Sequence, residues 1–338
     1  MSSHSPLDST ASNSKHQNLR EFSMEKNTFA TSAYIATLPE TAFNYLCRLE
    51  TLNEWTINCR MFEKVDDTTW LGTCSGYQRN LYYHVKTIEN PLFLGIEWYC
   101  GFELNNYFHW YPVLLFPPSY LDPESDEEGV YFHWISFIDP ARRTPMIMEG
   151  IKTVHLCETR SLKAILECDA GLTAAAQGCY TVDTDTIYVD APIELGVEYL
   201  ADLRHMGAWA HLLRPSGEIT PQAGEFLDEY QQRVKVTFRT HALNDYYLIE
   251  QDYFYPDHQF LQRCPTLLIP CSRAFNDPSA NGFILHRIAF WKAGSAPHHG
   301  KIQIEDYGAE NINIKRLLEA KAGNLETFAR GMSYLPRS

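Results

Sequence analysis

Tyr34-Ile35-Ala36-Thr37-Leu38-Pro39-Glu40-Thr41-Ala42-Phe43-Asn44-Tyr45-Leu46, running on to Trp55, is written twice in this chain. A shift of 154 positions places Tyr34 on Tyr188, Ile35 on Val189, Glu40 on Glu194, Tyr45 on Tyr199, Leu46 on Leu200, Leu49 on Leu203 and Trp55 on Trp209, without a gap. The echo continues downstream. Pro112 to Ser119 (PVLLFPPS) matches Pro265 to Ser272 (PTLLIPCS), and Gly129 to Phe137 (GVYFHWISF) matches Gly282 to Phe290 (GFILHRIAF). Leu162 to Glu167 (LKAILE) matches Ile314 to Glu319 (IKRLLE). Four blocks in one order at nearly constant offset mark a duplicated whole domain, because solenoid repeats have far shorter periods.

The chain has 338 residues, enough for two domains with cores of their own. Its net charge of −14 argues against nucleic acid and against an anionic membrane surface, both of which need basic patches. No apolar run has the length of a transmembrane helix, so no membrane insertion is expected. Residues 1–28 carry Ser, His, Asn and Pro without a signal-peptide core and read as a disordered leader. Nine cysteines, an odd number scattered without a CxxC pair, fit reduced thiols in a cytoplasmic protein.

Each copy opens with a short strand, Ala33 to Ala36 in the first. Thr37 and Glu40 then fit a capping box, with Pro39 in the first helical turn. In the second copy Asp190 can cap and Pro192 falls in the first turn. Period-two alternation follows over Thr69–Thr73, Leu81–Ile88, Phe93–Tyr99, Phe102–Phe116 and Val130–Ile138. Met146–His155 reads as a last strand and Glu158–Glu167 as a short helix. Asp169 to Gly178, rich in Ala and Gly, reads as a linker between a first domain (29–168) and a second (179–338). The second copy repeats the plan through Phe226–His241, Tyr246–Tyr255, Phe283–Trp291 and Lys301–Tyr307. It ends in a longer helix from Glu310 to Met332.

A strand, short helices, a run of antiparallel strands and a terminal helix make an α+β domain. On the strand–proline–helix–Trp block and the terminal helix, the chain resembles the helix-grip superfamily (START-like, polyketide cyclase-like, SRPBCC), and its tandem layout resembles didomain aromatase/cyclases. The resemblance implies two tandem helix-grip domains, each a curved antiparallel sheet wrapped around its C-terminal helix. It also implies a cavity for a hydrophobic ligand, free or tethered to a carrier protein. The first copy departs from the pattern in its short terminal helix, which makes the second copy the better-closed cavity.

Candidate chemistry centres on His133 and His286. Tyr131, His133, Ile135 and Phe137 alternate onto one strand face, as do Ile284, His286, Ile288 and Phe290. These faces are apolar and are expected to look inward. Tyr131, Phe137, Ile284 and Phe290, with Trp55 and Trp209, are then the candidate ligand-binding residues. An inward histidine can move a proton; the alternative is a core histidine kept in both copies by duplication. Glu97 and Glu250 match at the same offset and are candidate acids or bases if buried, or rim carboxylates if not. Arg142 and Arg143 can take a carboxylate or phosphate, or belong to a solvated loop. The proline-rich PxLL[FI]PxS segments suit cavity lids or edge strands running into turns. No set of residues has metal-ligand spacing, and no nucleotide-binding or hydrolase motif occurs, so neither metal nor cofactor is expected. The resemblance implies a cofactor-independent cyclase, aromatase or dehydratase acting on a polyketide-like intermediate. The alternative is a non-catalytic carrier or sensor of an apolar ligand.

Overall fold

The alternation read from the sequence becomes two antiparallel sheets. The computed structural model describes residues 27–77, 79–138, 144–172, 176–292 and 299–323. The first copy supplies β1 (Thr28–Ile35), β2 (Cys59–Lys64), β3 (Thr69–Cys74), β4 (Asn80–Ile88), β5 (Leu94–Gly101), β6 (His109–Phe116) and β7 (Val130–Phe137). The second supplies β8 (Tyr180–Val189), β9 (Arg214–Ile219), β10 (Ala223–Leu227), β11 (Arg233–Leu243), β12 (Tyr246–Tyr255), β13 (Phe260–Pro270) and β14 (Phe283–Lys292). The orders are the same: β1-β7-β6-β5-β4-β3-β2 and β8-β14-β13-β12-β11-β10-β9. Helices of two turns or more are α1 (Pro39–Leu46), α2 (Pro145–Asp169), α3 (Ile193–Leu200) and α4 (His299–Lys321). Each copy is thus a helix-grip domain, with one long helix packed on one face of a seven-stranded sheet.

The same device docks the long helix in both copies. Lys163 donates to the Tyr34 carbonyl and pairs with Glu167, whose carboxylate accepts from Ala36 N at 3.0 Å. Lys315 donates to the Tyr188 carbonyl and pairs with Glu319, which accepts from Asp190 N at 2.9 Å. A buried carboxylate at an otherwise unpaired backbone N–H explains why this Lys–Glu pair recurs in the matched blocks.

Several expectations are corrected. Met146–His155 is helix, not strand. Ile147, Ile151, Val154, Glu158, Leu162 and Leu166 recur at helical spacing, Thr144 Oγ1 accepts from Ile147 N at 3.2 Å, and Pro145 opens α2. The first grip helix is therefore 25 residues long. Lys301–Tyr307 also lies in helix. The capping box does not form: α1 is preceded by Leu38 and α3 by Pro192, neither with a side-chain cap. β1 begins at Thr28, which pairs with Phe137, so the sheet takes up the chain earlier than Ala33. Residues 1–26, Arg142 and Arg143 lie outside the described residues.

β7 is buried along its whole length because both of its faces are covered. Phe132 and Trp134 join Trp98, Val113, Leu115, Leu162 and Leu166 on the α2 side. Tyr131, Ile135 and Phe137 face the other way and pack with Trp110 and Phe116 against Tyr246, Leu267, Ile284, Ile288 and Phe290 of the second copy. The two sheets thus stand back to back, each with its long helix outermost.

Candidate active site

The apolar face read as inward is the face between the copies. His133 and His286 meet there, Nε2 to Nε2 at 3.0 Å. Ser32 Oγ lies 2.7 Å from His133 Nδ1 and Thr186 Oγ1 lies 2.7 Å from His286 Nδ1. One proton must lie between the two Nε2 atoms, so one ring donates and the other accepts. Each ring's other nitrogen is completed by a hydroxyl. Burial holds both histidines neutral, His286 down to about 3 and His133 well below its ordinary value, where His286 adds to the effect of burial. They do not line the cavity, which corrects their assignment as inward-facing acids or bases.

Glu97 reaches second-copy residues across this interface, Glu250 lies near Tyr120 of the first copy, and both carboxylates are buried. Glu97 accepts from Tyr99 OH at 2.8 Å, Trp110 Nε1 at 3.1 Å, and Asn244 Nδ2 and Arg273 Nη2 of the second copy at 3.0 and 2.8 Å. Glu250 takes Arg239 Nε at 3.1 Å and His241 Nε2 at 2.9 Å. The rim position is therefore corrected for both; their partners make them structural. The turns after the PxLL[FI]PxS strands are not lids. Tyr120 and Leu121 of one, and Cys271 and Ala274 of the other, belong to the interface core. Tyr131, Ile284 and Phe290 lie there too, while Phe137 both stacks on Trp110 and reaches the cavity edge.

The cavity lies on the opposite side of the first sheet, under α2, and measures about 500 Å³. Its wall is aromatic. Trp55, Trp98 and Trp134 contact one another with ring centroids 5.6–6.0 Å apart, and Tyr111 packs edge-on to Trp134. Trp98 Nε1 donates to the Leu46 carbonyl, but Trp55 and Trp134 Nε1 are buried without an acceptor among the described residues. From α2, His155 stacks on Trp134 at 4.0 Å, and its Nδ1 meets Ser136 Oγ at 3.0 Å. Burial pushes His155 down to about 4. One turn on, Glu158 is 4% exposed and accepts from Ile57 N at 2.9 Å. Burial pushes its carboxyl up to about 7, against the backbone hydrogen bonds of Ile57 and Asn58.

The second copy answers the same positions differently. Trp134 corresponds to Arg287 and Glu158 to Glu310. Arg287 is 2% exposed, its Nη1 pairs with Glu310 at 2.9 Å, its Nη2 meets Gln251 Oε1 at 3.3 Å, and its guanidinium lies 5.5 Å over the Trp209 ring. Trp209, expected to touch ligand, instead supports an internal ion pair. The first copy keeps the carboxyl and the indole of Trp55 but replaces the arginine with another indole.

A family described as "Domain of unknown function (DUF8713)" matches residues 24–175 and 182–327. The chain belongs to this family. Among curated proteins none matches. Among solved structures the chain is similar to DynU16 from the dynemicin biosynthetic locus, at 12% identity and TM-score 0.29, over 88% of this chain and 99% of that one. It is also similar to the di-domain ARO/CYC StfQ from the steffimycin biosynthetic pathway, at 9% identity and TM-score 0.32, over 87% and 99%. The di-domain ARO/CYC BexL from the BE-7585A pathway has 10% identity and TM-score 0.31, over 86% and 98%. Among the described residues no helix is long and apolar enough to cross a membrane.

Strand alternation singles out none of Glu158, His155 and Trp134, which all belong to the first DUF8713 copy. The signal was present: Trp134/Arg287 is the one apolar-to-charged exchange in the matched GVYFHWISF/GFILHRIAF block, and Glu158/Glu310 recur in equivalent helices.

Proposed function

We propose that the first domain binds a flat apolar small molecule in its aromatic cavity and uses Glu158 as the proton-transfer group of a cofactor-independent reaction. The reaction class is cyclisation or dehydration of a polyketide-like intermediate, free or tethered to a carrier protein. One observation carries this reading. The second copy neutralises the equivalent Glu310 with Arg287, whereas the first leaves Glu158 in an apolar cavity with a carboxyl near neutral pKa. A carboxyl so placed can give or take a proton near pH 7. The indole N–H groups of Trp55 and Trp134, buried without acceptors, suit a ligand carbonyl or hydroxyl. The second domain, on this reading, is a structural partner.

Glu158→Gln tests it. The neutral probe N-phenyl-1-naphthylamine should bind saturably to the natural protein and to the variant with similar affinity. Turnover of a linear polyketone should fall on the order of 10²–10⁴-fold in the variant. Turnover unchanged by Glu158→Gln would remove the catalytic role, and an altered affinity with no turnover in either protein would favour the carrier.

A further inference from the structure

The cavity wall formed by β2 and β3, several strands from Trp134 on β7, carries a pair of thiols that the proton-transfer reading does not use. Cys59 on β2 and Cys74 on β3 are register partners, and both line the cavity. Ser75 N donates to Asn58 O at 2.9 Å, the bond that flanks a non-hydrogen-bonded pair, the site where cross-strand side chains come closest. As directly opposed partners the two side chains stand on the same face of the strand pair, beside the cavity. Strands β9 and β10 of the second copy, which has the arginine-filled interior, carry no cysteine.

We propose that Cys74 is a nucleophile for soft electrophilic ligands of this cavity, α,β-unsaturated carbonyl compounds, with Cys59 as the thiol that supports and reprotonates it. The Cys74 thiolate forms an S–C bond to the β-carbon. The C=C π pair moves onto the carbonyl to give an enolate, and Cys59 S–H protonates the α-carbon. Solvent returns a proton to Cys59, so the net change is addition of one S–H across one C=C, and no oxidant is needed. The environment favours this direction of transfer. The Cys59 S–H and the backbone N–H of Gly76 hold Cys74 below the usual thiol range, while Cys59 is pushed up by Cys74 and by burial. The other titratable groups around the pair are Tyr83, Cys100, Tyr111 and Glu158. Burial pushes the first three up, and Glu158, raised to about 7 by burial and in part by charge on Cys74, is the one acid among them that competes with Cys74 for charge.

The inference rests on the cavity being a ligand site but not on the role of Glu158. The test is limited labelling of the full chain with N-ethylmaleimide, read by peptide mass spectrometry. Cys168 and Cys179, both exposed, serve as internal references. Cys74 should be labelled at least about tenfold faster than either at pH 6.5, where ordinary thiols are mostly protonated. Cys59→Ser should slow it severalfold at that pH and less at high pH. N-phenyl-1-naphthylamine should protect Cys74 and leave the references unchanged. Labelling of Cys74 no faster than Cys168 would overturn the inference. Fast labelling without protection would place the reaction outside the cavity and overturn it equally. Saturable probe binding with a slow Cys74 would sink this inference alone, and absence of probe binding would sink the reading of the cavity as well.

Discussion

The His133–His286 pair shows how a single residue can be conspicuous and still be misread. Each histidine sits mid-strand in a matched block, on an apolar face, as a catalytic group would. What the sequence could not tell is that both faces of β7 and β14 are buried, one under a helix and one under the other copy. Alternation assigns residues to two sides and leaves open which side is inward. The pair's consequence is for stability. Its folded pKa values are depressed, so the unfolded chain takes up protons near the ordinary histidine value of 6.5 while the folded chain does not. Stability is therefore fully present above about pH 6.5 and falls as pH drops below it, by on the order of 3 kcal/mol per pH unit from the two rings together. Glu158 opposes this: its raised pKa gives the folded state an extra proton between its ordinary 4.5 and about 7. Urea unfolding across this range should show the loss, and the doubly substituted His133→Gln/His286→Gln protein should lack that component of the slope. An unchanged pH dependence in the double variant would mean that the dyad is not neutral in the fold.

At the scale of elements, β1, α1 and the central strands were legible because short strands and a proline-started helix leave period and punctuation in the sequence. Helix α2 was not. Its first half, Met146 to His155, includes Ile147, Gly150, Ile151, Thr153 and Val154, which are β-branched residues and glycine and so poor local helix formers. Its apolar stripe is also broken by Glu158, the residue that makes the site. Local propensity was overridden by a Thr144 cap, Pro145 and packing on the sheet, and the site lay under the misassigned element. Gly150 is where this conflict is greatest. A Cβ built there meets no atom within 4 Å. Gly150→Ala should therefore raise stability by about 0.5–1 kcal/mol, by removing backbone freedom from the unfolded chain and favouring helix. Denaturant midpoints measure it, and a loss of stability would mean that α2 sits closer to its neighbours than described.

For the whole molecule, duplication made two domains with one strand order and then let their interiors diverge. The backs of the sheets had to stay mutually complementary, apolar around a few paired polar groups, because they cover each other. The helix sides did not, and there Trp134 became the counterpart of Arg287 and an open cavity the counterpart of an internal ion pair. If the second domain is the structural partner, its ion pair should be felt in stability. Arg287 and Glu310 are 2% and 8% exposed, so neither charge is well solvated. Arg287→Met leaves Glu310 buried without its cation, which costs about 3–5 kcal/mol, since most of the loss is the desolvation of a stranded charge. Adding Glu310→Gln removes that charge and should recover about half of the loss or more. Binding of N-phenyl-1-naphthylamine by the first domain should persist in the double variant. Unfolding in urea, followed by tryptophan fluorescence, measures the cycle. Equal stability of the single and double variants would show that Glu310 is not stranded when Arg287 is lost, and the contrast with Glu158 would then lose its physical basis.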